Sequence, residues 1–156
     1  MNCFKQYLST FALTLLAGAA AAQPSVVDLS FSDPWIRGSA PGQSNGAGYV
    51  VIENKASEPI ALVSVTSDRA HRMELHTIVR EGNVAKMQEV DRIEVPANGR
   101  VELKPGGFHI MFIGLTEPFV AGQEVPLQLN FEGEQTVRVD FAVKPPTHMG
   151  GRSHSH

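Results

Sequence analysis

The sequence is poor in cysteine, in long apolar runs and in blocks of like charge. Its 156 residues contain one cysteine, Cys3, close to the first residue. A mature chain that starts after Cys3 has no disulfide, no thiol nucleophile and no thiolate metal ligand. Beyond the N-terminal segment, no stretch approaches the roughly 18 apolar residues that a membrane helix needs. Stable membrane insertion of the mature chain is therefore not expected.

The first 22 residues have the pattern of a secretory signal peptide. Lys5 precedes the apolar run LSTFALTLLAGAAAA, and the segment closes on three small residues, Ala20 to Ala22, before Gln23. A short positive region, an apolar region and an A-x-A finish are typical of a cleaved leader. Cys3 does not sit in a Leu-Ala-Gly-Cys type lipoprotein site. We therefore predict export to the periplasm, with residues 1–22 removed.

About 134 residues remain after that cut, enough for one domain with a real core. Loss of Lys5 leaves 12 basic residues (13 minus 1) against 16 acidic ones, a net charge of about −4. The charges are interspersed, so neither nucleic acid nor an anionic membrane surface is an expected partner. A monomer is expected. Residues 23–144 are predicted to form the domain.

Short runs rich in Val, Ile, Phe and Thr fill that domain, separated by turn signals such as PGQSNG, REGN, PANG and KPGG. This spacing predicts an all-β sandwich or barrel of eight or nine strands with no helix. In VRVDFAV the alternation places Val137, Val139 and Phe141 on one face and the charged residues between them on the other. Residues 145–156, PPTHMGGRSHSH, have no apolar periodicity and are predicted to be a mobile tail.

The run GGFHIMFI, residues 106–113, carries one histidine and one methionine two positions apart. Alternate residues of a strand share a face, so Ile110 and Phe112 take the core side and His109 and Met111 share the other. One interpretation is an ordinary strand near a sheet edge. Against it, a large apolar methionine with no core to fill needs another reason to be there.

The segment upstream, HRMELHTIVREGNVAKMQEV, predicts a hairpin around Glu81-Gly82-Asn83. A two-residue loop at Glu81-Gly82 would put His76 directly opposite Met87. A loop at Gly82-Asn83 would pair Met87 with Ile78 and leave His76 one diagonal step away on the same face. Either register brings His76 and Met87 side by side, whereas a longer loop or a bulge would separate them.

Two His/Met pairs together form a ligand set for a soft metal. Thioether sulfur favours Cu(I), whereas Mg and Ca prefer oxygen, and zinc sites usually recruit thiolate or carboxylate. A neutral set of two nitrogens and two sulfurs suits a monovalent ion. A blue-copper electron carrier and a thiol-disulfide reductase are disfavoured, since both need cysteine.

The spacing of these residues resembles the periplasmic copper chaperones called PCu(A)C. Their signature is a His, ten residues, a Met, twenty-one residues, then His-x-Met. Here His76 is followed by ten residues and Met87, then by twenty-one residues and His109-Ile110-Met111. The resemblance extends over PWIR, GAGYVVIEN, ELHT, VPANGRVELKPGGFHIMFIGL and NFEGEQTVRVDFAV.

The resemblance implies a cupredoxin-like Greek-key β-sandwich that binds one Cu(I) through His76, Met87, His109 and Met111. It also implies delivery of copper for cytochrome c oxidase assembly, to the copper A centre of subunit II, alongside a Sco-type copper chaperone. No Ser-His-Asp order, paired carboxylates or phosphate loop stands out, so an enzyme is not expected. The alternatives are a periplasmic copper-sequestering protein without a dedicated acceptor, and a structural β-sandwich with no metal.

Further His, Met and aromatic residues need a reading. Alternation places His71 and Met73 on the face opposite His76, which favours core or rim. Glu74 falls on the side of His76 and is a candidate to steady its ring. Trp35 and Tyr49 are interpreted as core or edge aromatics. The tail is either a polar terminus or an auxiliary Cu(II) site, with four candidate ligands: His148, Met149, His154 and His156.

Overall fold

The structure, a computed structural model, describes residues 28–150 as an all-β fold, and no helix occurs within them. Its ten strands are β1 (Leu29–Arg37), β2 (Asn45–Asn54), β3 (Ile60–Thr66), β4 (Ala70–Glu81), β5 (Val84–Glu89), β6 (Ile93–Val95), β7 (Gly99–Leu103), β8 (His109–Leu115), β9 (Glu124–Phe131) and β10 (Gln135–Lys144). Among the described residues, no helix is long and apolar enough to cross a membrane.

All ten strands belong to one hydrogen-bonded sheet. Nine of them follow the order β5-β4-β8-β2-β1-β10-β9-β3-β6, and β7 lies off this path and pairs with β2. Only β1 and β10 pair in parallel. β2 pairs with two different strands on the same edge: its residues 45–48 pair with β8, and its residues 50–54 pair with β7. The fold is all-β, as the strand pattern predicts, and cupredoxin-like, as the resemblance implies.

Strand alternation places the core on one face of each strand. Along β10, Phe141 is buried and Val137 and Val139 are half-buried, while Arg138 and Asp140 are exposed, as predicted. The largest fully buried side chains come from seven strands and one loop: Phe112, Phe119, Phe141, Ile36, Ile52, Leu62, Ile93, Ile110, Leu127, Leu129, Val50 and Val95. Burial of these apolar side chains stabilises the sandwich.

The expected count of about eight or nine strands was too low, because residues 28–150 contain ten. β1 also runs further than the apolar pattern indicates, through Pro34 to Arg37. Proline cannot donate to a ladder, and the register of β1 against β2 shifts between Ser32 and Trp35. Asp33 takes a positive φ of 46° at this irregularity. The strand therefore continues past the proline through a local bulge, which returns Trp35 to register opposite Tyr49.

Both chain ends extend outside the described residues. The predicted signal peptide, residues 1–22, lies there entirely. Of the predicted mobile tail, residues 145–150 are described. The backbone N–H of His148 donates to the carbonyl of Pro145 at 2.9 Å, and its ring packs edge-on against Trp35. The first residues after β10 therefore fold back onto β1.

Phe112 should be a strong determinant of stability. Its side chain is 0% exposed and packs edge-to-face on Phe119, with 4.9 Å between ring centroids. We expect Phe112→Ala to lower the free energy of unfolding by about 3–5 kcal/mol, since it opens a cavity. Val84→Ala, on a side chain 56% exposed, is the control and should change it by less than about 0.5 kcal/mol. Urea unfolding measures both, and similar effects would contradict this packing.

Candidate metal centre

Four His and Met side chains lie on three neighbouring strands at one side of the sheet. Met87 is on β5, His76 on β4, and His109 and Met111 on β8, and β4 lies between β5 and β8. In the antiparallel β4–β8 ladder, His76 pairs directly with His109. The two imidazole rings lie 5.7 Å apart between centroids, with 62° between their planes. This pairing joins the two His/Met motifs into one cluster.

The β4–β5 hairpin adopts the second of the two predicted registers. Its loop is Gly82-Asn83, so Met87 pairs with Ile78, and His76 pairs with Glu89. Met87 therefore lies one diagonal step from His76, on the same face. Gly82 has φ +60° and Asn83 has no positive φ, which is the φ pattern of a type II′ turn with glycine first.

His109 is more deeply buried than its place on the non-core face of β8 indicates, with 4% of its surface exposed. The rings of His76 and Tyr49 approach its ring, with centroids 5.7 and 6.4 Å away. In the turn before β8, the N–H of Lys104 donates to the carbonyl of Phe108. The Gly107 carbonyl then accepts a hydrogen bond from Nδ1 of His109 at 3.0 Å. A carbonyl only accepts, so Nδ1 carries the proton and the lone pair of the neutral ring stays on Nε2.

His76 is held by the opposite nitrogen. Its Nε2 lies 2.7 Å from Oε2 of Glu74, which fulfils the predicted orienting contact. The other oxygen of that carboxylate accepts from Arg72 at 2.8 Å. Because a carboxylate accepts, Nε2 carries a proton. Nδ1 of His76 is buried and has no hydrogen-bond partner in the described part of the chain. Both rings are therefore fixed at one nitrogen and keep the other for a ligand.

A surface cavity of about 290 Å³ opens beside the cluster. Met87, His109 and Met111 line it, and the ring of His76 adjoins it through His109. The Met87 side chain is 52% exposed on the edge strand, whereas Met111 is half-buried. The cluster thus has a buried imidazole at one end and a solvent-exposed thioether at the other.

The donor chemistry fits a soft, monovalent cation. Two imidazoles and two thioethers supply no anionic ligand, and no Asp or Glu lines the cavity. Hard divalent ions require oxygen ligands, and thioether sulfur favours Cu(I). Within residues 28–150, no group of three or more His, Cys, Asp or Glu forms an alternative metal cluster. The unpartnered Nδ1 of His76 is the kind of buried polar atom that a ligand would satisfy.

The remaining candidates fall elsewhere. Met73 is half-buried and packs against the core, while His71 is exposed beside Gly114, so neither shares the face of His76. Of the four candidate tail ligands, His148 and Met149 are described. His148 packs on Trp35 with 4.7 Å between ring centroids, and Met149 is exposed. His154 and His156 lie outside the described residues.

A row of aromatic rings connects the described tail to the cluster. Trp35 and Tyr49 are both buried, as predicted, and their ring centroids are 4.4 Å apart. Tyr49 in turn lies 6.4 Å from His109. Burial raises the pKa of Tyr49, and the positive charge of Arg37 opposes that shift. The phenol is therefore neutral near pH 7 and forms an uncharged wall of the cavity.

Sequence reasoning did not place Arg37 or Asn45 in the wall of the cavity. The last residue of β1 lies in the cavity wall, with its Cζ 5.8 Å from the centroid of the Tyr49 ring. Arg37 belongs to the PWIR segment, which is one of the stretches that resemble the PCu(A)C family. No local pattern connects residue 37 with residues 87 or 109, because the link is made by pairing between distant strands.

The fold and this cluster define a class, the PCuAC-type copper domains. Solved structures of that class are similar over most of the chain. The copper-bound PCuAC domain from PmoF2 matches with a TM-score of 0.65 and 25% identity, covering 76% of this chain and 93% of that one. The structure of CuI-DR1885 from Deinococcus radiodurans matches with a TM-score of 0.60 and 28% identity, covering 81% and 83%.

Comparison of sequences places the chain more narrowly. Residues 29–143 match the family model described as putative lipoprotein LpqE-like. The putative lipoprotein Lxx21020 of Leifsonia xyli is 30% identical over 138 residues, which is 88% of this chain and 82% of that protein. The uncharacterized protein RP573 of Rickettsia prowazekii is 30% identical over 113 residues, or 70% and 62% of the two chains. The chain belongs to the LpqE-like family, which is of PCuAC type.

The pKa of His109 predicts a pH dependence of stability. Burial lowers this pKa below its usual 6.5; the hydrogen bond to Gly107 opposes that shift, and the charge of His76 adds to it. Below pH 6.5 the unfolded chain therefore binds a proton that the folded chain resists. We expect the free energy of unfolding to fall on acidification through this window, by at most about 1.4 kcal/mol per pH unit from this residue.

The measurement is urea unfolding at pH 7.5, 6.5 and 5.5 on the apoprotein. His109→Asn keeps a donor for the Gly107 carbonyl and should flatten the dependence. His71→Gln removes an exposed histidine on the opposite face and controls for the loss of a histidine as such. A dependence as steep in His109→Asn as in the unsubstituted chain would show that His109 is not its source.

Proposed function

We propose that this protein is a periplasmic copper chaperone that binds one Cu(I) ion through His76, Met87, His109 and Met111 and passes it on. The observation that carries the proposal is the convergence of the two His/Met pairs on β4, β5 and β8. Each imidazole is hydrogen-bonded at one nitrogen, and its other nitrogen has no partner among the described residues. The similar solved structures support it, since two are described as copper-bound and as CuI forms.

The four candidate ligands differ in solvent exposure, and this difference supports a protein that holds a copper ion and then transfers it. His109 is buried and fixed by the Gly107 carbonyl, so it is the ligand best suited to retain the ion. Met87 is exposed on an edge strand, and a neutral thioether is a weak ligand. An acceptor would therefore displace Met87 first and approach from the β5 side. Nothing in such an exchange requires catalytic turnover, and we infer that the protein is not an enzyme.

The acceptor in this proposal is the copper A centre of cytochrome c oxidase subunit II, with a Sco-type copper chaperone acting alongside. The exported location rests on the signal-peptide pattern and on a family described as putative lipoprotein. The second candidate function is copper sequestration without a dedicated acceptor. The exposed Met87 favours delivery, because a protein that only stores copper gains nothing from an open ligand.

The tail is proposed as a separate, auxiliary site for Cu(II). Its candidate ligands are mostly imidazoles, which suit Cu(II) better than thioethers do. The described part supports this only at His148, whose Nε2 is buried against the fold without a hydrogen-bond partner among residues 28–150. The core cluster and the tail would then differ in the oxidation state that they hold.

A competitive Cu(I) titration against a chromophoric chelator, under reducing conditions, tests the core site. Residues 23–156 should bind one Cu(I) tightly. A variant with alanine at His148, His154 and His156 should retain that site and lose only Cu(II) binding. If Cu(I) binding disappears with these tail substitutions, or never occurs, the core cluster is not the copper site.

Substitution of Met111 separates the role of its sulfur from its packing. Met111→Leu keeps the volume, so stability should change by less than about 1.5 kcal/mol. Cu(I) affinity should fall roughly tenfold or more. Loss of a metal ligand should weaken binding at least as much as loss of a residue that only orients a ligand. Met73→Leu, the same change on the core-facing side of β4, is the matched control. Unchanged affinity in Met111→Leu would remove this residue from the ligand set.

Substitution of Glu74 tests the orientation of His76. Glu74→Gln leaves a side chain of equal size but removes the carboxylate that lies 2.7 Å from Nε2. We expect Cu(I) affinity to fall by about 10- to 100-fold, the usual effect of losing such a partner. Glu102→Gln, an exposed carboxylate paired with Lys104, is the control. Equal affinities for the two variants would show that the Glu74 contact does not prepare the ring for the metal.

A further inference from the structure

Arg37 places a positive charge in the wall of the proposed copper cavity. The lining also contains Gln43, Asn45, Tyr49, three of the four candidate ligands and several small or apolar residues, but no Asp or Glu. Arg37 is therefore the one formally charged side chain that lines this cavity within the described chain. A copper chaperone gains nothing from repelling its own cargo, so the position of this charge needs an explanation.

The guanidinium of Arg37 has little to bind within the protein. It lies over the face of Tyr49, and its Nε is buried without a hydrogen-bond partner. Among residues 28–150 its side chain forms no ion pair, in contrast to Arg72, which is paired with Glu74. Buried donors are almost always satisfied, and arginine recognises carboxylates through two parallel hydrogen bonds. The free donors of Arg37 therefore match an anion supplied from outside the fold.

Asn45 adds a second donor to the same wall. Its Oδ1 accepts a hydrogen bond from the backbone N–H of Gly114 at 3.3 Å, which fixes the orientation of the amide. Its Nδ2 then donates to no group among the described residues. Asn45 and Arg37 line one cavity. Together they provide a charged and a neutral donor beside the ligand cluster.

The geometry points to an anion subsite, formed by Arg37 and Asn45, that receives a carboxylate of the molecule that takes the copper. This inference rests on the proposed function and specifies the acceptor, which carries an acidic group close to its own copper ligands. The neutral N2S2 set leaves the bound ion its positive charge, and Arg37 adds a second one. In a partly buried cavity both charges attract an incoming carboxylate, and they do so less as salt rises.

Matched chelators test this subsite. Bicinchoninate and 2,2′-biquinoline share the ring system that binds Cu(I), but only bicinchoninate carries carboxylates. Copper transfer from the loaded protein to each chelator is followed by stopped-flow absorbance at low ionic strength, in one water–dimethylsulfoxide mixture. We expect Arg37→Gln to lower the ratio of the bicinchoninate rate to the biquinoline rate by roughly tenfold. A substitution that changes copper release in general alters both transfer rates equally, so it leaves their ratio unchanged.

Two control variants accompany it. Arg138→Gln removes an equal charge from an exposed position on β10 that does not line this cavity, and its ratio should match the unsubstituted protein. Arg37→Lys retains the charge and should keep most of the preference for bicinchoninate. A ratio in Arg37→Gln equal to that of Arg138→Gln would overturn the inference. So would a loss as large in Arg37→Lys, because packing rather than charge would then be the cause.

An acetate titration of the apoprotein separates the two proposals. It is followed by NMR at the Arg37 Nε–H and the Asn45 side-chain amide. Saturable shifts at both groups, absent in Arg37→Gln, support the subsite even if the chain binds no Cu(I), in which case only the proposed function fails. No shift at either group overturns the subsite, whatever the copper titration gives.

Discussion

The pairing of β4 with β8 is the constraint on which the candidate site depends. That ladder sets His76 opposite His109 and Glu74 opposite Met111. A slip of one residue would turn every side chain of one strand to the other face and would send Ile110 and Phe112 into solvent. The apolar core therefore enforces the register that brings the imidazoles together. The proposed copper site is thus organised by residues that would not touch the metal.

Glu74 and Gly107 show how backbone and carboxylate acceptors prepare a neutral site. Each one accepts a hydrogen bond from a different ring nitrogen, Nε2 of His76 and Nδ1 of His109, so the two rings use opposite tautomers. The rings can therefore approach one centre from different strands without competing for the same hydrogen-bond geometry. The arrangement also explains why His109 tolerates burial, since its single N–H is satisfied and the ring stays uncharged.

Much of the fold could be predicted from local pattern, because alternation and turn residues act over a few positions. Val137, Val139 and Phe141 took their predicted face, and both hairpin registers considered kept His76 beside Met87. Three features could not be predicted this way. The burial of His109 arises where the rings of His76 and Tyr49 approach it from other strands, and the extension of β1 comes from a bulge at Asp33. The contribution of Arg37 arises from long-range pairing, on which a single sequence carries no direct signal.

The length of β1 determines how far the proposed site lies from the N-terminal side of the domain. β1 begins at Leu29 and ends at Arg37 in the cavity wall, so the strand itself separates the N-terminal entry of the domain from the metal cluster. Nine extended residues span roughly 25 Å. If the chain were tethered through its N-terminal side, the length of β1 would separate the point of attachment from Arg37 and the cavity. The proposed site therefore lies at the far end of β1 from the side on which the described chain enters the domain.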